Sequence, residues 1–194
     1  MTPPAIVKAA VESGLDMIAI CDHNSAGNVQ AVQEAARKSP EPLVVLAGIE
    51  ITTSEEAHVL GLFASAEAAM AVGEAVKATL PPVTEISKRF GDQFVMDAEG
   101  TTRDEEKTML STAASFSLEQ AVGLIKSHDG LAIASHVDRP SHSVMSQLGL
   151  FPQNVNFDAI EISWVGIQLG RDMQFRGLGL PMVTSSDSHF LSEI

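Results

Sequence analysis

Imidazole and carboxylate side chains that could bind metal ions occur at six widely separated positions of the chain. They are His23, Glu50, His58, His136, Asp187 and His189. Imidazole combined with carboxylate, without a cluster of thiolates, is a ligand set that zinc, manganese and iron all accept. A single histidine is more often structural than a ligand, and a glutamate at a strand end is usually exposed or hydrogen bonded. The prediction of a shared metal site therefore depends on the coincidence of all six.

Short apolar runs, each long enough for a buried strand, lead into four of these ligands. In chain order they are Met17–Cys21 before His23, Leu43–Ile49 before Glu50, Leu131–Ser135 before His136, and Met182–Ser185 before Asp187. A strand whose end carries a ligand, repeated around a curled sheet, is how a barrel builds a metal site at one rim. A carboxylate buried at such a strand end would be strongly destabilising unless a cation or a donor met it.

Helical patterns alternate with the apolar runs. Capping residues and apolar spacing predict helices after Thr2, after Ser25 and before Pro40, from Ser65 to Leu80, after Ser117, and over Ser143–Leu148. Two more apolar runs, Ala57–Phe63 and Asp158–Ser163, bring the predicted strands to six. Strands that alternate with helices indicate parallel βαβ units and an α/β fold.

Residues 81–116 interrupt this alternation with a more polar segment. We interpret it as an insertion or lid, in which Gln93–Met96 and Lys107–Leu110 pair as a hairpin around Ala98-Glu99-Gly100. A solvated surface excursion without a chemical role is an equally good interpretation.

Composition limits the class of protein. The 194 residues suffice for one domain, and we treat residues 1–194 as a single unit. The formal net charge of −13 argues against binding long nucleic acid and favours a small substrate. One cysteine cannot form an internal disulfide, which is typical of a reducing cytoplasm. No apolar run reaches the roughly 18 residues that a membrane span needs.

Five short segments together resemble a known family. They are Asp22-His23-Asn24, Gly48-Ile49-Glu50-Ile51-Thr52, His58-Val59-Leu60-Gly61, Ser135-His136 with Arg139-Pro140, and Ser186-Asp187-Ser188-His189. In this order they resemble the PHP (polymerase and histidinol phosphatase) domain over nearly the whole chain, most closely its stand-alone metal-dependent phosphoesterases. The resemblance implies a distorted, TIM-like (β/α)7 barrel with up to three zinc, manganese or iron ions in a cleft at the rim.

The resemblance also implies roles for the six ligands. Glu50 is expected to bridge two metals, with His58 and His136 on one of them and Asp187 on the other. His23 and His189 are expected to bind the third. The implied reaction is hydrolysis of a phosphoester by a metal-bridged hydroxide, with Glu50, Asp187 and His189 as the catalytic metal ligands.

One departure from the family pattern changes this expectation. PHP domains normally begin with a strand that ends in His-x-His, and no such motif occurs in these residues. We therefore expect an incomplete barrel that lacks the first strand, has unpaired sheet edges and possible self-association, and holds fewer metals. The Glu50–His58–His136 site should persist. The alternative function is a catalytically impaired metal-binding or regulatory module; a metal-dependent amidohydrolase fits less well.

Residues beside the ligands are weaker candidates. Arg139 could hold a substrate phosphate through bidentate hydrogen bonds, or it could form a surface ion pair. We expect His142 to be solvent-exposed and Cys21 to pack as a small core residue. Asp22 and Asn24 are expected to orient His23 rather than to bind metal.

Overall fold

The main sheet of the protein has six strands, in a computed structural model that describes residues 1–85 and 91–194. In spatial order they are β1 (Met17–Ile20), β2 (Val44–Thr52), β3 (His58–Phe63), β6 (Leu131–Ala134), β7 (Ala159–Glu161) and β8 (Met182–Val183). The sheet curls into half a barrel whose edges are β1 and β8. The mixed α/β class and the six strands agree with the sequence, and the curled sheet is consistent with the predicted incomplete barrel. The (β/α)7 organisation of that barrel stays a prediction.

Strand β3 runs opposite to the others, so the prediction of uniformly parallel strands is wrong. It pairs antiparallel with both β2 and β6, while the β1–β2, β6–β7 and β7–β8 pairs are parallel. Its first residue, His58, lies opposite Thr52, the last residue of β2. The start of β3 therefore lies at the same rim as the ends of its neighbours.

In the described residues, six α-helices and two 3-10 helices accompany the sheet. The α-helices are α1 (Pro3–Glu12), α2 (Val29–Lys38), α3 (Ala66–Lys77), α4 (Leu118–Lys126), α5 (Val144–Leu148) and α6 (Trp164–Gln168). The 3-10 helices span Arg171–Leu178 and Leu191–Glu193. Among the described residues, no helix is both long and apolar enough to cross a bilayer.

The helix starts follow local capping chemistry. The Ser65 hydroxyl accepts a hydrogen bond from the Ala68 amide, and Ser117 forms a capping box with Gln120. Helix α2 begins three residues later than the sequence predicted, with Asn28 rather than Ser25 at the N-cap position. Ser25 does not cap it, because its hydroxyl donates to Glu106 instead.

The apolar core lies between the helices and the sheet. Its fully buried side chains include Val32, Val72 and Ile125 from the helices and Ile49 and Ile160 from the strands. The last six residues of β2 are all buried, so Glu50 lies inside this run rather than on an exposed edge. The packing thereby fixes the strand that carries the central carboxylate.

The insertion forms a short hairpin of β4 (Phe94–Met96) and β5 (Thr102–Glu105), and residues 86–90 of it lie outside the described part of the chain. The first strand agrees with the prediction, but the second does not lie at Lys107–Leu110. The Asp97 side chain accepts hydrogen bonds from the Glu99 and Thr101 amides, which closes a tight turn. Pairing therefore resumes at Thr102, immediately after that turn.

Candidate metal centre

His23 and Glu50 lie side by side because the pairing of β1 and β2 continues past the end of β1. An isolated parallel bridge joins the two residues in the same register as the strands. The Asn24 amide donates to the Glu50 carbonyl at 2.7 Å, and the Glu50 amide donates to the Asp22 carbonyl at 3.1 Å. Backbone hydrogen bonds thus hold His23 at the rim beside the carboxylate. The orienting role of Asp22 and Asn24 stays a prediction: the Asp22 carboxylate accepts a hydrogen bond from Asn28, and the Asn24 side chain bonds to backbone groups of Thr52 and of the insertion.

The two carboxylate oxygens of Glu50 face different imidazoles. Oε2 lies 3.1 Å from His23 Nδ1 and 3.4 Å from His58 Nδ1. Oε1 lies 3.6 Å from His136 Nε2. One ligand atom each from His23, Glu50 and His58 lies within 4.8 Å of the other two, a spacing that one metal ion can span. This group places His23 with Glu50 and His58, whereas the resemblance assigned His23 to a different metal.

The centre of the cluster is buried and its outer part is exposed to solvent. The Glu50 side chain is 5% exposed, that of His136 4%, and that of His23 36%. Burial alone would raise the pKa of the Glu50 carboxyl, but hydrogen bonds with His136, His23 and His58 together hold it well below its usual range. The hydrogen bond with Glu50 raises the pKa of His23, against the opposing effect of burial.

A second buried carboxylate, Glu161 at the end of β7, contacts the backbone of His136, one of the predicted ligands. Its Oε2 accepts the His136 backbone amide at 2.9 Å, and its Oε1 accepts the Ser185 hydroxyl. Burial raises the pKa of the Glu161 carboxyl, opposed by these hydrogen bonds. His136 itself has the unusual φ of 26°, which this pair of contacts helps to hold.

Asp187 and His189 form the exposed side of the cluster. The His189 ring lies 5.7 Å from the His23 ring between centroids, and the Asp187 side chain is 21% exposed. Arg139 forms an ion pair with Asp187, with Nη1 and Oδ2 2.5 Å apart. Arg139 thus forms an ion pair, but it does so inside the pocket and not on an unrelated surface. Its other predicted role, binding a substrate phosphate, therefore stays a prediction.

One pocket of about 290 Å³ joins all six predicted ligands. Its lining comprises His23, Glu50, Thr52, His58, Ser111, His136, Arg139, Ser141, His142, Asp187 and His189. His142 is exposed, as the sequence predicted, yet it also lines this pocket and stacks on His58. The described residues therefore gather at one rim every ligand that the sequence singled out.

Two ionisable residues at the site, Glu161 and His142, are not among the predicted ligands. Glu161 ends a buried apolar run, which is the same pattern that identified Glu50, so the sequence contained the information. His142 has no comparable pattern, since its role depends on a loop that folds back over the start of β3. Cys21 does not line this pocket, and burial and then the nearby Glu50 charge raise the pKa of its thiol.

Unusual backbone conformations concentrate around this rim. Six described non-glycine residues have positive φ, and five of them belong to the site or adjoin it: Asn24, Glu56, His136, His142 and Asp187. Such conformations are uncommon for residues with a Cβ and cluster where the surrounding structure must hold a functional geometry.

The donor set fits a divalent cation. A buried carboxylate faces three imidazoles, and the Nδ1 atom of His136 is buried without a hydrogen-bond partner in the described residues. His58 Nδ1 and His136 Nε2 lie 3.3 Å apart, so both ring nitrogens face the same space beside the carboxylate. Converging lone pairs around one carboxylate are the arrangement that a zinc, manganese or iron ion stabilises.

Comparison with known proteins identifies the fold. No protein-family model matches the sequence, and no curated protein sequence matches it significantly. Among solved structures, the lesion-specific endonuclease Q from Pyrococcus furiosus superposes with a TM-score of 0.65 at 17% identity. That match covers 97% of this chain and 44% of the endonuclease. The chain thus spans less than half the length of that enzyme.

Two bacterial structures match over more of their own length. A protein described as a metal-dependent phosphoesterase from Bifidobacterium adolescentis has a TM-score of 0.62 at 17% identity, covering 97% of this chain and 82% of that one. An amidohydrolase from Chromobacterium violaceum has a TM-score of 0.64 at 18% identity, with the same two coverages. The fold is PHP-like, as the ordered motifs predicted.

Proposed function

We propose that the protein is a metal-dependent hydrolase that acts on small phosphoesters. The proposal rests on one observation: the two oxygens of the Glu50 carboxylate face three imidazoles, inside a pocket that also contains an arginine. The fold of the structural neighbours, which are described as a phosphoesterase, an endonuclease and an amidohydrolase, supports hydrolytic chemistry.

His23, Glu50, His58 and His136 would hold the metal, and Asp187 and His189 would complete the set from the solvent side. A divalent cation held by these residues would supply Lewis acidity and would lower the pKa of a bound water towards neutrality. Glu50 contributes a carboxylate that stays ionised, because the surrounding imidazoles hold its pKa well below the usual range. The buried end of the pocket limits competing water.

Arg139 would bind the substrate phosphate. Its guanidinium lies in the pocket and is held there by Asp187, and a planar guanidinium can donate two parallel hydrogen bonds to a phosphate. Those donors would stabilise the charge that develops on the non-bridging oxygens. Asp187 would thereby have two roles, as an anchor of Arg139 and as a metal ligand.

The proposed substrate is a small phosphorylated molecule. The net charge of −13 opposes the approach of a long polyanion, and the pocket has a volume of about 290 Å³. Endonuclease Q, however, has been solved with a 27-mer duplex that carries an abasic lesion at its active site. The experiment must therefore include nucleic acid as an alternative substrate.

A metal-binding module without turnover is the second candidate. The specific observation in its favour is the ion pair between Arg139 and Asp187, which engages an oxygen that a catalytic metal would need. If that ion pair persists with metal bound, Asp187 is a structural partner of Arg139 rather than a ligand.

The test uses the purified chain, stripped with a chelator and reloaded separately with Zn²⁺, Mn²⁺ or Fe²⁺. Hydrolysis of 4-nitrophenyl phosphate, of its bis-ester and of an abasic-site duplex is measured together with metal content. We expect turnover of a small phosphoester by the wild type. We expect Glu50→Gln to lose metal affinity and activity by more than the roughly 10- to 100-fold that is typical when a residue that only hydrogen bonds to a metal ligand is replaced.

Glu119→Gln is the matched control, because it removes the same charge from an exposed position at the start of α4. Retention of normal metal content and rate by Glu50→Gln would refute the role of Glu50. A wild-type chain that binds metal but hydrolyses none of the substrates would favour the module without turnover.

A further inference from the structure

The loop after β6 returns to the start of β3 through His142. The His142 carbonyl accepts the backbone amide of His58 at 2.8 Å, and the His142 ring, through Nδ1, donates to the Glu56 carbonyl at 3.1 Å. Because a carbonyl can only accept, this second contact places the proton of the neutral ring on Nδ1. His142 is thus bonded on both sides to the short segment that leads into β3.

The two rings are stacked. The centroids of His142 and His58 lie 4.7 Å apart, and their planes differ by 12°. The other two neighbours of the His58 ring meet it at steep angles, 60° for His23 and 71° for His136. One face of the His58 imidazole is therefore covered by a parallel ring, while its Nδ1 points to Glu50.

The two residues joined by the hydrogen bond between the His142 ring and the Glu56 carbonyl both have left-handed backbone conformations. Glu56 has a φ of 61° and His142 a φ of 53°. Residues with a Cβ adopt such values rarely, and they persist where surrounding contacts determine them. Here the surrounding contacts are the two hydrogen bonds and the ring stack between His142 and the Glu56–His58 segment. The same contacts that hold these backbone conformations therefore also hold the two stacked rings together.

We infer that His142 is a positioning residue for the metal centre, which acts by holding the His58 ring in the orientation that directs Nδ1 to the cluster. The inference rests on the proposed metal site, since it concerns the ligand His58. His142 itself supplies no ligand atom in this role. Its contribution is to restrict rotation of a side chain that would otherwise sample other rotamers before binding metal.

Three variants distinguish the effect of the ring stack from the effects of side-chain volume and of altered folding. His142→Phe keeps a planar ring over His58 but removes the bond to Glu56, whereas His142→Leu keeps a similar volume without a ring. Both introduce the same backbone penalty at positive φ, so their comparison isolates the stack. His128→Ala is the control, because the hydrogen bonds of that imidazole are with Ser127 and Leu124 at the end of α4.

The measurement is titration of the chelator-stripped chain with Co²⁺, following the visible absorption of the bound ion and its dissociation constant. We expect His142→Phe and His128→Ala to stay within about threefold of the wild type, and His142→Leu to bind about tenfold or more weakly with an altered spectrum. The free energy of unfolding, measured without metal, corrects each constant for loss of folded protein.

Equal Co²⁺ affinity and spectrum in the phenylalanine and leucine variants would overturn the inference, whether both matched the wild type or both were weakened. Absence of Co²⁺ binding by the wild-type chain would instead overturn the proposed function. The two failures are therefore distinguishable in one titration series.

Discussion

His23 Nδ1 lies 3.1 Å from Glu50 Oε2, and the two residues are joined by a backbone bridge in the register of β1 and β2. The hydrogen bond with Glu50 raises the pKa of His23, while the imidazoles hold the pKa of Glu50 well below its ordinary value of 4.5. The metal-free cluster is therefore an ion pair over an intermediate range of pH, and a cation would replace the proton of His23.

This ion pair predicts a stability maximum in metal-free protein. The stability that comes from His23 is fully present below its ordinary pKa of 6.5 and is lost as pH rises through the raised value. The stability that comes from Glu50 is present above pH 4.5 and is lost as pH falls towards its lowered value. Urea unfolding in a chelator from pH 4 to 9 should show the maximum between these limits.

The matched variant for this prediction is His23→Asn, which should remove the fall in stability above pH 6.5 and leave the fall at low pH in place. An unchanged alkaline limb in His23→Asn would mean that another group causes it. Saturating metal should flatten the alkaline limb of the wild type, with a stabilisation of about 2.7 kcal/mol at a free metal concentration 100 times the dissociation constant.

Glu161 predicts a pH dependence of its own. Burial raises the pKa of the Glu161 carboxyl above 4.5, because the folded protein favours the protonated form. The contribution of the protonated carboxyl to folding stability is therefore fully present below pH 4.5 and is lost as pH rises through the raised value. Glutamine can still accept the His136 amide and donate to Ser185, without the buried charge. Metal-free Glu161→Gln should therefore be more stable than the wild type at pH 8, with the difference vanishing towards pH 4.

Glu119→Gln is again the control, and it should change the free energy of unfolding by less than about 0.5 kcal/mol at every pH. If Glu161→Gln is less stable than the wild type at pH 8, the hydrogen bonds of the carboxylate outweigh its desolvation. Chemical unfolding at pH 4, 6 and 8 distinguishes these outcomes.

The sequence predicted which residues lie at the rim of the sheet better than it predicted the directions of the strands. The apolar runs before Glu50 and His136 correctly predicted that both residues lie at one rim, because a buried strand is recognisable as a run of apolar residues. The same pattern says nothing about strand direction, so the reversal of β3 was missed even though His58 begins that strand. An antiparallel strand places its first residue where a parallel strand places its last.

Other errors arose where tertiary contacts overrode local preference. Ser25 looked like a helix cap, but its hydroxyl donates to Glu106 of the insertion, 81 residues away. The turn held by Asp97 moved the second hairpin strand to Thr102–Glu105. The stacking of His142 on His58 depends on a loop conformation that no periodicity in the sequence encodes.

Gly48 and Gly123 provide a test of the packing beneath the site. A Cβ at Gly48 would lie 2.5 Å from the Cys21 sulfur and 3.0 Å from the Ile20 carbonyl, so β1 would have to move away from β2. Gly48→Ala should destabilise the protein by about 1–3 kcal/mol and weaken metal binding, because the bridge between His23 and Glu50 would be displaced.

Gly123→Ala is the opposite case. A Cβ there meets nothing within 4 Å, and the residue lies inside α4. We expect a stabilisation of about 0.5–1 kcal/mol with unchanged metal affinity. Equal effects of the two substitutions in urea unfolding would contradict the close approach of β1 and β2 at Gly48.

Asn24 connects the metal centre with the insertion. Its buried side chain donates to the carbonyls of Leu110 and Thr112 at 2.9 and 2.8 Å, and it accepts the Thr52 amide at 2.9 Å. Asn24→Ala would leave these three backbone groups without their partner, each at a cost of about 1–3 kcal/mol where water cannot replace it. We therefore expect a loss of roughly 3 kcal/mol or more.

The experiment on Asn24 must separate lost hydrogen bonds from backbone strain. Asn24 has a φ of 52°, so alanine adds strain there, whereas Asn24→Gly relieves it and still removes the three hydrogen bonds. Both variants should speed amide hydrogen exchange in residues 108–114 and weaken metal binding, while the exposed Asn154→Ala should do neither. If Asn24→Gly matches the wild type in both measurements, strain alone would explain the alanine variant, and Asn24 would not couple the insertion to His23.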